Sequence, residues 1–300
     1  MNLEIVVPCY NEEKNIKKFF NEISYVLKDI DFNIIFVNDG SSDNTLDEIK
    51  KLDNVNYISF SRNFGKEAAI YAGLKHTKAD YVILMDVDLQ DPPSLIPEMI
   101  EYIDDYDIVA TRRVSRIGEP KIRSFFARNF YRLMNRLTNI ELVDGARDFR
   151  LMKRIVVDAV LDLNENNRFS KGIFQWIGFN TKWIEYENIL RSEGETSWSF
   201  WELFAYSIEG IVSFTVVPLY ISTVTGIIFS IISFIFILFI VLKTLLFGDP
   251  VSGWPSTISI ILFIGGIQLF TIGILGQYLA KTYIETKNRP KYIIKEENFD

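Results

Sequence analysis

Residues 81–93 read Tyr-Val-Ile-Leu-Met-Asp-Val-Asp-Leu-Gln-Asp-Pro-Pro. Tyr81–Met85 is a short apolar run, the pattern of a buried strand. It stops at Asp86-Val87-Asp88. Two carboxylates this close repel each other, and a neighbouring diphosphate would add to the repulsion. A hard divalent cation relieves both, because Mg²⁺ and Mn²⁺ take oxygen ligands and bridge carboxylates to phosphates. Gln90 offers a third oxygen. Asp91-Pro92-Pro93 ends the turn, with Asp91 placed to cap the next helix. A solvated turn would also carry Asp-x-Asp, but a position directly after a strand favours the metal.

The same alternation recurs on either side. Leu3–Pro8 is a strand, followed by Tyr10, Asn11 and Glu12 and a helical stretch to about Lys28. Phe32–Val37 is a strand ending in Asn38-Asp39-Gly40-Ser41-Ser42, with a helix over Thr45–Leu52. Val55–Phe60 precedes a helix over Lys66–Lys75, and Ile108–Ala110 is a fifth strand. Strands alternating with helices predict an α/β sheet with parallel strands. Ligands bind such sheets at the carboxyl ends of the strands. Polar groups after strands one, two and four therefore converge on one rim. No Gly-x-Gly-x-x-Gly or P-loop pattern is present, so ordinary dinucleotide and ATP sites are unsupported.

Charge is distributed unevenly over the 300 residues. The net charge is −7, yet Gly210–Ala280 carries two charges in 71 residues, Lys243 and Asp249. A wholly soluble protein, a disordered chain and a disulfide scaffold are excluded. The apolar segment predicts two membrane helices, about Tyr220–Leu246 and Ile258–Leu279, with Pro218 at the entry joint. A helical hairpin buried in a soluble core is the alternative. The link between the spans has one basic residue and the C-terminal flank has five, Lys281, Lys287, Arg289, Lys291 and Lys295. Both termini are therefore expected on the cytoplasmic side of a multi-pass cell-membrane protein. Met1–Tyr10 does not read as a signal peptide. Ser197–Phe214, rich in Trp, Phe and Tyr, reads as an interfacial amphipathic helix or as a helix packed on the soluble domain.

Eight basic residues and one acid lie between Arg112 and Arg136. Arg128, Arg132 and Arg136 recur every four residues and share one helix face. That stripe suits an anionic membrane, a lipid phosphate gripped by arginine, or a solvated face paired with acids elsewhere. Nucleic acid is a poor partner for a domain that is acidic overall.

Four segments together carry a resemblance: Val7-Pro8-Cys9-Tyr10-Asn11-Glu12-Glu13, Val37-Asn38-Asp39-Gly40-Ser41-Ser42-Asp43, Ser61-Arg62-Asn63-Phe64-Gly65-Lys66-Glu67-Ala68-Ala69 and Asp86 to Pro93. In that order they resemble family 2 glycosyltransferases of the GT-A fold. Asp148-Phe149-Arg150-Leu151, Asn167 to Gly172 and the paired C-terminal spans resemble the bacterial polyprenyl-phosphate (bactoprenol) members, cousins of the dolichol-phosphate mannose synthases. The resemblance covers essentially the whole chain. It implies a Rossmann-like GT-A catalytic domain over 1–196, an interfacial helix over 197–218, a transmembrane hairpin over 219–280 and a cytoplasmic tail over 281–300. It also implies transfer of a sugar from a UDP-sugar, UDP-glucose or UDP-N-acetylglucosamine, to undecaprenyl phosphate with inversion. GDP-mannose is the alternative donor, and a non-catalytic membrane adaptor the alternative role.

The resemblance implies these residue roles. Pro8, Tyr10, Glu12, Asp39 and Lys66 hold the nucleotide. Asp86, Asp88 and Gln90 hold Mg²⁺ or Mn²⁺, with Asp88 also catalytic. Asp148 is base or acceptor-positioning residue, or else pairs with Arg150. Arg113, Arg123, Arg128 and Arg150 grip the acceptor phosphate. A homo-oligomer, a tetramer in related enzymes, is expected. The chain departs from the usual pattern at Asn38, where Asp is common, at Val87, where Ala is common, and at Thr196-Ser197, where Ser-Lys often follows the Arg191 to Gly194 segment. A processive synthase is disfavoured, because Gln175-Trp176 lacks the Gln-x-x-Arg-Trp pattern. Cys9 reads as a packing residue and His76 as a surface residue. A single Cys and a single His cannot form a conventional zinc site or a Cys/His pair.

Overall fold

The computed structural model describes residues 2–114, 132, 135–136, 143–187, 211–212, 215–248 and 253–299. Contacts divide the chain into two compact units, Met1–Leu203 with Arg289–Asp300, and Phe204–Asn288.

In the first unit, β1 (Leu3–Cys9), β2 (Phe32–Asn38), β3 (Val55–Phe60) and β4 (Tyr81–Leu84) alternate with α1 (Ile16–Val26), α2 (Thr45–Lys50) and α3 (Lys66–His76). A 3₁₀ turn (Pro93–Leu95) and α4 (Ile96–Tyr102) lead to β5 (Ile108–Arg113). Then come β6 (Ala146–Lys153), α5 (Arg154–Asp162), α6 (Ser170–Trp176) and β7 (Thr181–Tyr186). The last strand is β8 (Ile294–Glu297). All eight form one sheet in the order β7-β5-β6-β4-β1-β2-β3-β8.

The sheet is mixed: the five strands expected from the sequence run parallel, and two further strands, β6 and β8, run against them. β1 pairs in parallel with β2 and β4, and β2 with β3. β6 runs antiparallel between β4 and β5, and β8 antiparallel along β3. Strand order reverses at β1, which sits between β4 and β2. Such a switch point opens a crevice at the carboxyl ends of the two strands.

Apolar residues on both faces of β1 explain its central place. Ile5, Val6 and Val7 are fully buried. On one side α1 contributes Ile16, Phe19 and Ile23 from a single stripe. On the other, α3 is small and apolar along Ala68, Ala69, Ala72 and Gly73. That composition lets α3 press onto the sheet. A Cβ on Gly73 would lie 2.2 Å from Val6 Cγ1.

β8 was unforeseen in a segment read as a tail. Tyr292 stacks on Phe60 at 5.0 Å between ring centroids. Asn298 accepts the Tyr57 N–H at 2.6 Å and donates to the Val55 carbonyl at 2.9 Å. The strand covers what would otherwise be an open edge of β3.

The second unit contains α7 (Val217–Phe247) and α8 (Trp254–Lys287). Val217–Phe247 and Ile260–Lys287 are long and apolar enough to cross a membrane, with mean hydropathies of 2.9 and 1.9. Both helices run past the expected ends. Pro218 lies in the first turn of α7, where its missing N–H costs nothing. The hydroxyls of Thr223, Thr271 and Thr282 bond the carbonyls four residues back, so these side chains need no water.

Candidate active site

The loops after β1 and β2 are laced together. The Asn11 N–H donates to Ser41 Oγ at 3.0 Å, and Ser42 N–H to Asn11 Oδ1 at 2.9 Å. Glu12 N–H reaches Thr45 Oγ1 at 2.7 Å, and Asn44 N–H reaches Glu13 Oε2 at 3.1 Å. Asn11 adopts a left-handed φ of 56°, a conformation asparagine tolerates. Asn38, where a carboxylate is common in the family, uses both halves of its amide. It donates to Ser59 Oγ at 3.0 Å and accepts from the Ser41 hydroxyl at 2.5 Å.

Asp39 is 3% exposed. Its two oxygens accept the N–H groups of Phe64 and Gly65 at 2.6 and 2.9 Å, fixing the turn into α3. Burial raises its pKa, against those two bonds and the Arg62 charge. Gly40 next to it has φ +64°, and a Cβ there would lie 2.3 Å from the Arg62 carbonyl carbon. The loops after β2 and β3 are thereby brought together.

The acid pair follows β4. Val87 is buried, so Asp86 and Asp88 flank an inward-pointing side chain. Leu89 is left-handed at φ 55°, an uncommon state for a leucine that turns the chain sharply. From the first position of α3, the Lys66 ammonium lies 2.6 Å from Asp86 and 2.6 Å from Asp148 on β6. Burial works to lower the Lys66 pKa, but the carboxylates of Asp148 and Asp86 overcome it and hold it above the ordinary value. The Asp148 carboxyl is buried too, yet Lys66, Lys171 and Arg150 hold it well below the usual range. Asp86 is raised by burial and by the charges of Asp148 and Asp88, against Lys66.

Pro8, Tyr10, Glu12, Asp39, Lys66, Asp86 and Asp88 line one cleft of about 300 Å³, joined by Asn63 and Gly65. Tyr10 is 47% exposed and lines the cleft. The donor set suits a hard cation. Among the described residues no three His, Cys, Asp or Glu side chains gather on one point. Two carboxylates are nevertheless what Mg²⁺ commonly takes from protein, leaving its other positions to water and phosphates. An ammonium within 2.6 Å of both Asp86 and Asp148 marks a position spaced for a small cation.

Other expected residues lie elsewhere. Arg147 Nη2 is 3.4 Å from the side-chain oxygen of Gln90. Asp91 caps nothing, since it is 1% exposed and accepts Arg147 Nε at 2.8 Å and the Tyr186 hydroxyl. Arg150 is 2% exposed and does not line this cleft. Its guanidinium lies 3.7 Å from the Phe174 ring centroid and donates to the carbonyls of Asp148 and Arg147. Burial, against the Asp148 charge, pushes its pKa down to about 10. Arg113 ends β5, its N–H on the Gly145 carbonyl at 2.9 Å. Arg123, Arg128, Arg191–Gly194 and Thr196-Ser197 lie outside the described residues, as does most of Ser197–Phe214. Cys9 is buried, and burial raises its pKa far above the ordinary thiol value, leaving it unreactive.

Two further contacts support the site and were not foreseen from the sequence. Glu67 accepts the Ser170 N–H at 3.0 and 3.1 Å, together with the Ser170 hydroxyl. Arg147 with Asp91 and Tyr186 ties the acid-pair turn to β6 and β7. The signal for the first was the presence of both residues in motifs that resemble one family.

The family model for glycosyl transferase family 2 matches residues 4–161. The glycosyltransferase CsbB of Bacillus subtilis is 46% identical over 99% of this chain and 92% of its own length. The SfII prophage-derived bactoprenol glucosyl transferase of Shigella flexneri is 42% identical over 99% of this chain and 98% of its own. Among solved structures, glucosyl-3-phosphoglycerate synthase of Mycobacterium tuberculosis with Mn²⁺ and UDP-glucose aligns with a TM-score of 0.49 at 18% identity, covering 70% of this chain and 77% of that one.

Proposed function

The chain belongs to glycosyl transferase family 2, and from that premise we propose that it transfers a hexose from a UDP-sugar to a polyprenyl phosphate in the membrane. UDP-glucose and UDP-N-acetylglucosamine are the donors we favour. The observation that carries the reading is the cleft itself. Residues suited to a nucleoside (Tyr10, Glu12, Asp39) share it with residues suited to a diphosphate (Lys66, Asp86, Asp88). The long apolar helices α7 and α8 in the same chain support a lipid acceptor. So does 42% identity, over nearly the whole chain, to an enzyme named for bactoprenol.

In this reading Tyr10 and Asp39 hold the base and Lys66 faces the diphosphate. Asp86 and Asp88 would hold Mg²⁺ or Mn²⁺. When bound, the cation offsets charge on the departing diphosphate. The acceptor phosphate attacks the anomeric carbon in line, which inverts it. A phosphate monoester has its second pKa at about 6, so this nucleophile needs little help from a base. Asp148, held ionised at low pKa, is a poor base and an effective anchor for Lys66. Arg113, with Arg123 and Arg128, would receive the acceptor phosphate. The basic C-terminal flank supports a cytoplasmic position for both termini and the cleft.

The test is transfer from radiolabelled donors to undecaprenyl phosphate by the full chain in detergent. Label should enter the lipid phase from one donor and vanish with EDTA. Transfer from GDP-mannose alone would reassign the donor. No lipid product from UDP-glucose, UDP-N-acetylglucosamine or GDP-mannose would favour the adaptor role.

A further inference from the structure

Lys66 stands where two incoming charges meet. Its ammonium lies 2.6 Å from Asp86 and 2.6 Å from Asp148. A divalent cation that takes the Asp86 oxygens must displace this ammonium, and at such distances the two positive charges repel strongly. A metal arriving alone therefore works against a resident cation. A diphosphate changes the balance. The Lys66 side chain is 45% exposed and lines the same cleft as Tyr10, Glu12 and Asp39, so it has room to turn. Phosphate oxygens would give the ammonium a new anionic partner and free Asp86. The donor set argues the same way independently. Two neighbouring carboxylates leave most positions of a hard cation unfilled, and phosphate oxygens are the usual completion.

We propose that Lys66 is the residue that couples metal binding to nucleotide binding. It bridges Asp86 and Asp148 before the donor enters, and then leaves Asp86 for the diphosphate while keeping Asp148. The proposal rests on the metal-and-nucleotide reading of the cleft given above. Coupling is reciprocal, so whatever factor UDP adds to Mn²⁺ affinity, Mn²⁺ adds to UDP affinity. Removing the Lys66 charge should shrink that factor from the metal side, by making the metal-only state tighter.

The test measures Mn²⁺ affinity by electron paramagnetic resonance of the free ion, with and without UDP. The full chain is used in detergent, as wild type, Lys66→Met, Lys66→Gln and Lys66→Arg. Lys66→Met should bind Mn²⁺ without UDP about tenfold more tightly than wild type, with a smaller further gain from UDP. Lys66→Arg keeps the charge and should stay close to wild type. Lys66→Gln is polar but uncharged, so it should match Lys66→Met and serves if that variant unfolds. A wild type that takes up Mn²⁺ with UDP, beside neutral variants that bind Mn²⁺ alone no more tightly, would overturn this proposal and leave the cleft reading standing. A wild type that takes up no Mn²⁺ even with UDP would overturn both.

Discussion

Arg147 Nε lies 2.8 Å from Asp91 Oδ1, joining the start of β6 to the turn that follows the acid pair. Tyr186 at the end of β7 donates its hydroxyl to the same oxygen. Three segments distant in sequence are thus pinned at one buried carboxylate beside the cleft. Burial opposes the charge on Arg147, but Asp91 holds its pKa above the ordinary value. Arg147→Met would leave Asp91 buried without its cation, a change that costs about 3–5 kcal/mol in comparable pairs. Denaturant unfolding should show that loss. Arg147→Lys should recover part of it, since it keeps the charge but not the fork. A methionine variant as stable as wild type would show that this pair does not hold the turn.

Asp148 tests the distinction between a proton acceptor and an anchor. Lys66, Lys171 and Arg150 hold its carboxyl low despite burial, so it stays ionised through neutral pH. Asp148→Asn should lower kcat about 100-fold, through loss of the Lys66 anchor, with the pH profile between roughly pH 6 and 8 unchanged in shape. A catalytic base would reveal itself by a shifted acidic limb. Stability follows from the sign of the shift. A depressed folded pKa stabilises the fold above the unfolded value of about 3.9, and that gain fades as pH falls toward the folded value. The stability gap between wild type and Asp148→Asn should therefore stay level from pH 8 to 5 and narrow only in stronger acid.

The readable and unreadable parts of this chain differ in where their partners lie. β1 to β4 were legible because each is an apolar run with a polar break at the rim. β6 was not, because Asp148 and Arg150 interrupt its apolar pattern, and Arg150 packs its guanidinium on Phe174 of α6. β8 alternates Ile294 with charged neighbours and needs just one apolar face, so it read as a tail. Asp91 looked like a helix cap because the following prolines are a local signal. Its real partners are 56 and 95 residues away and leave no local trace. The cleft residues were readable because each sits directly after a strand, where topology alone brings them together.

Glu67 gives a second pH test. Burial holds its carboxyl above the ordinary range, against the bonds from Ser170 and with the Asp148 charge adding. A raised folded pKa means that stability rises as pH falls through that value toward the unfolded value of about 4.3. Glu67→Gln cannot titrate and should lose this increment, so wild type should gain on it as pH falls toward about 4.3. Glu67→Ala should cost about 1–3 kcal/mol at every pH, because the Ser170 N–H and hydroxyl lose their acceptor. Melting temperatures measured across pH would separate the two effects. A wild-type advantage that shrinks on acidification would contradict the assignment.

Tyr292 tests the returning C-terminal strand. Its ring stacks on Phe60 at the edge of the sheet, beside the Asn298 bonds that dock β8 on β3. Tyr292→Ala should cost about 2 kcal/mol, from lost stacking and burial. Deleting residues 289–300 removes β8 entirely and bares the N–H and C=O groups along β3. An exposed edge strand templates pairing with other chains, so the truncated protein should show raised light scattering on concentration. Asn298→Ala loses two backbone contacts and should fall between wild type and the truncation. If the truncated chain stays monodisperse and as stable as wild type, the edge of β3 needs no cover, and β8 contributes nothing to the catalytic unit.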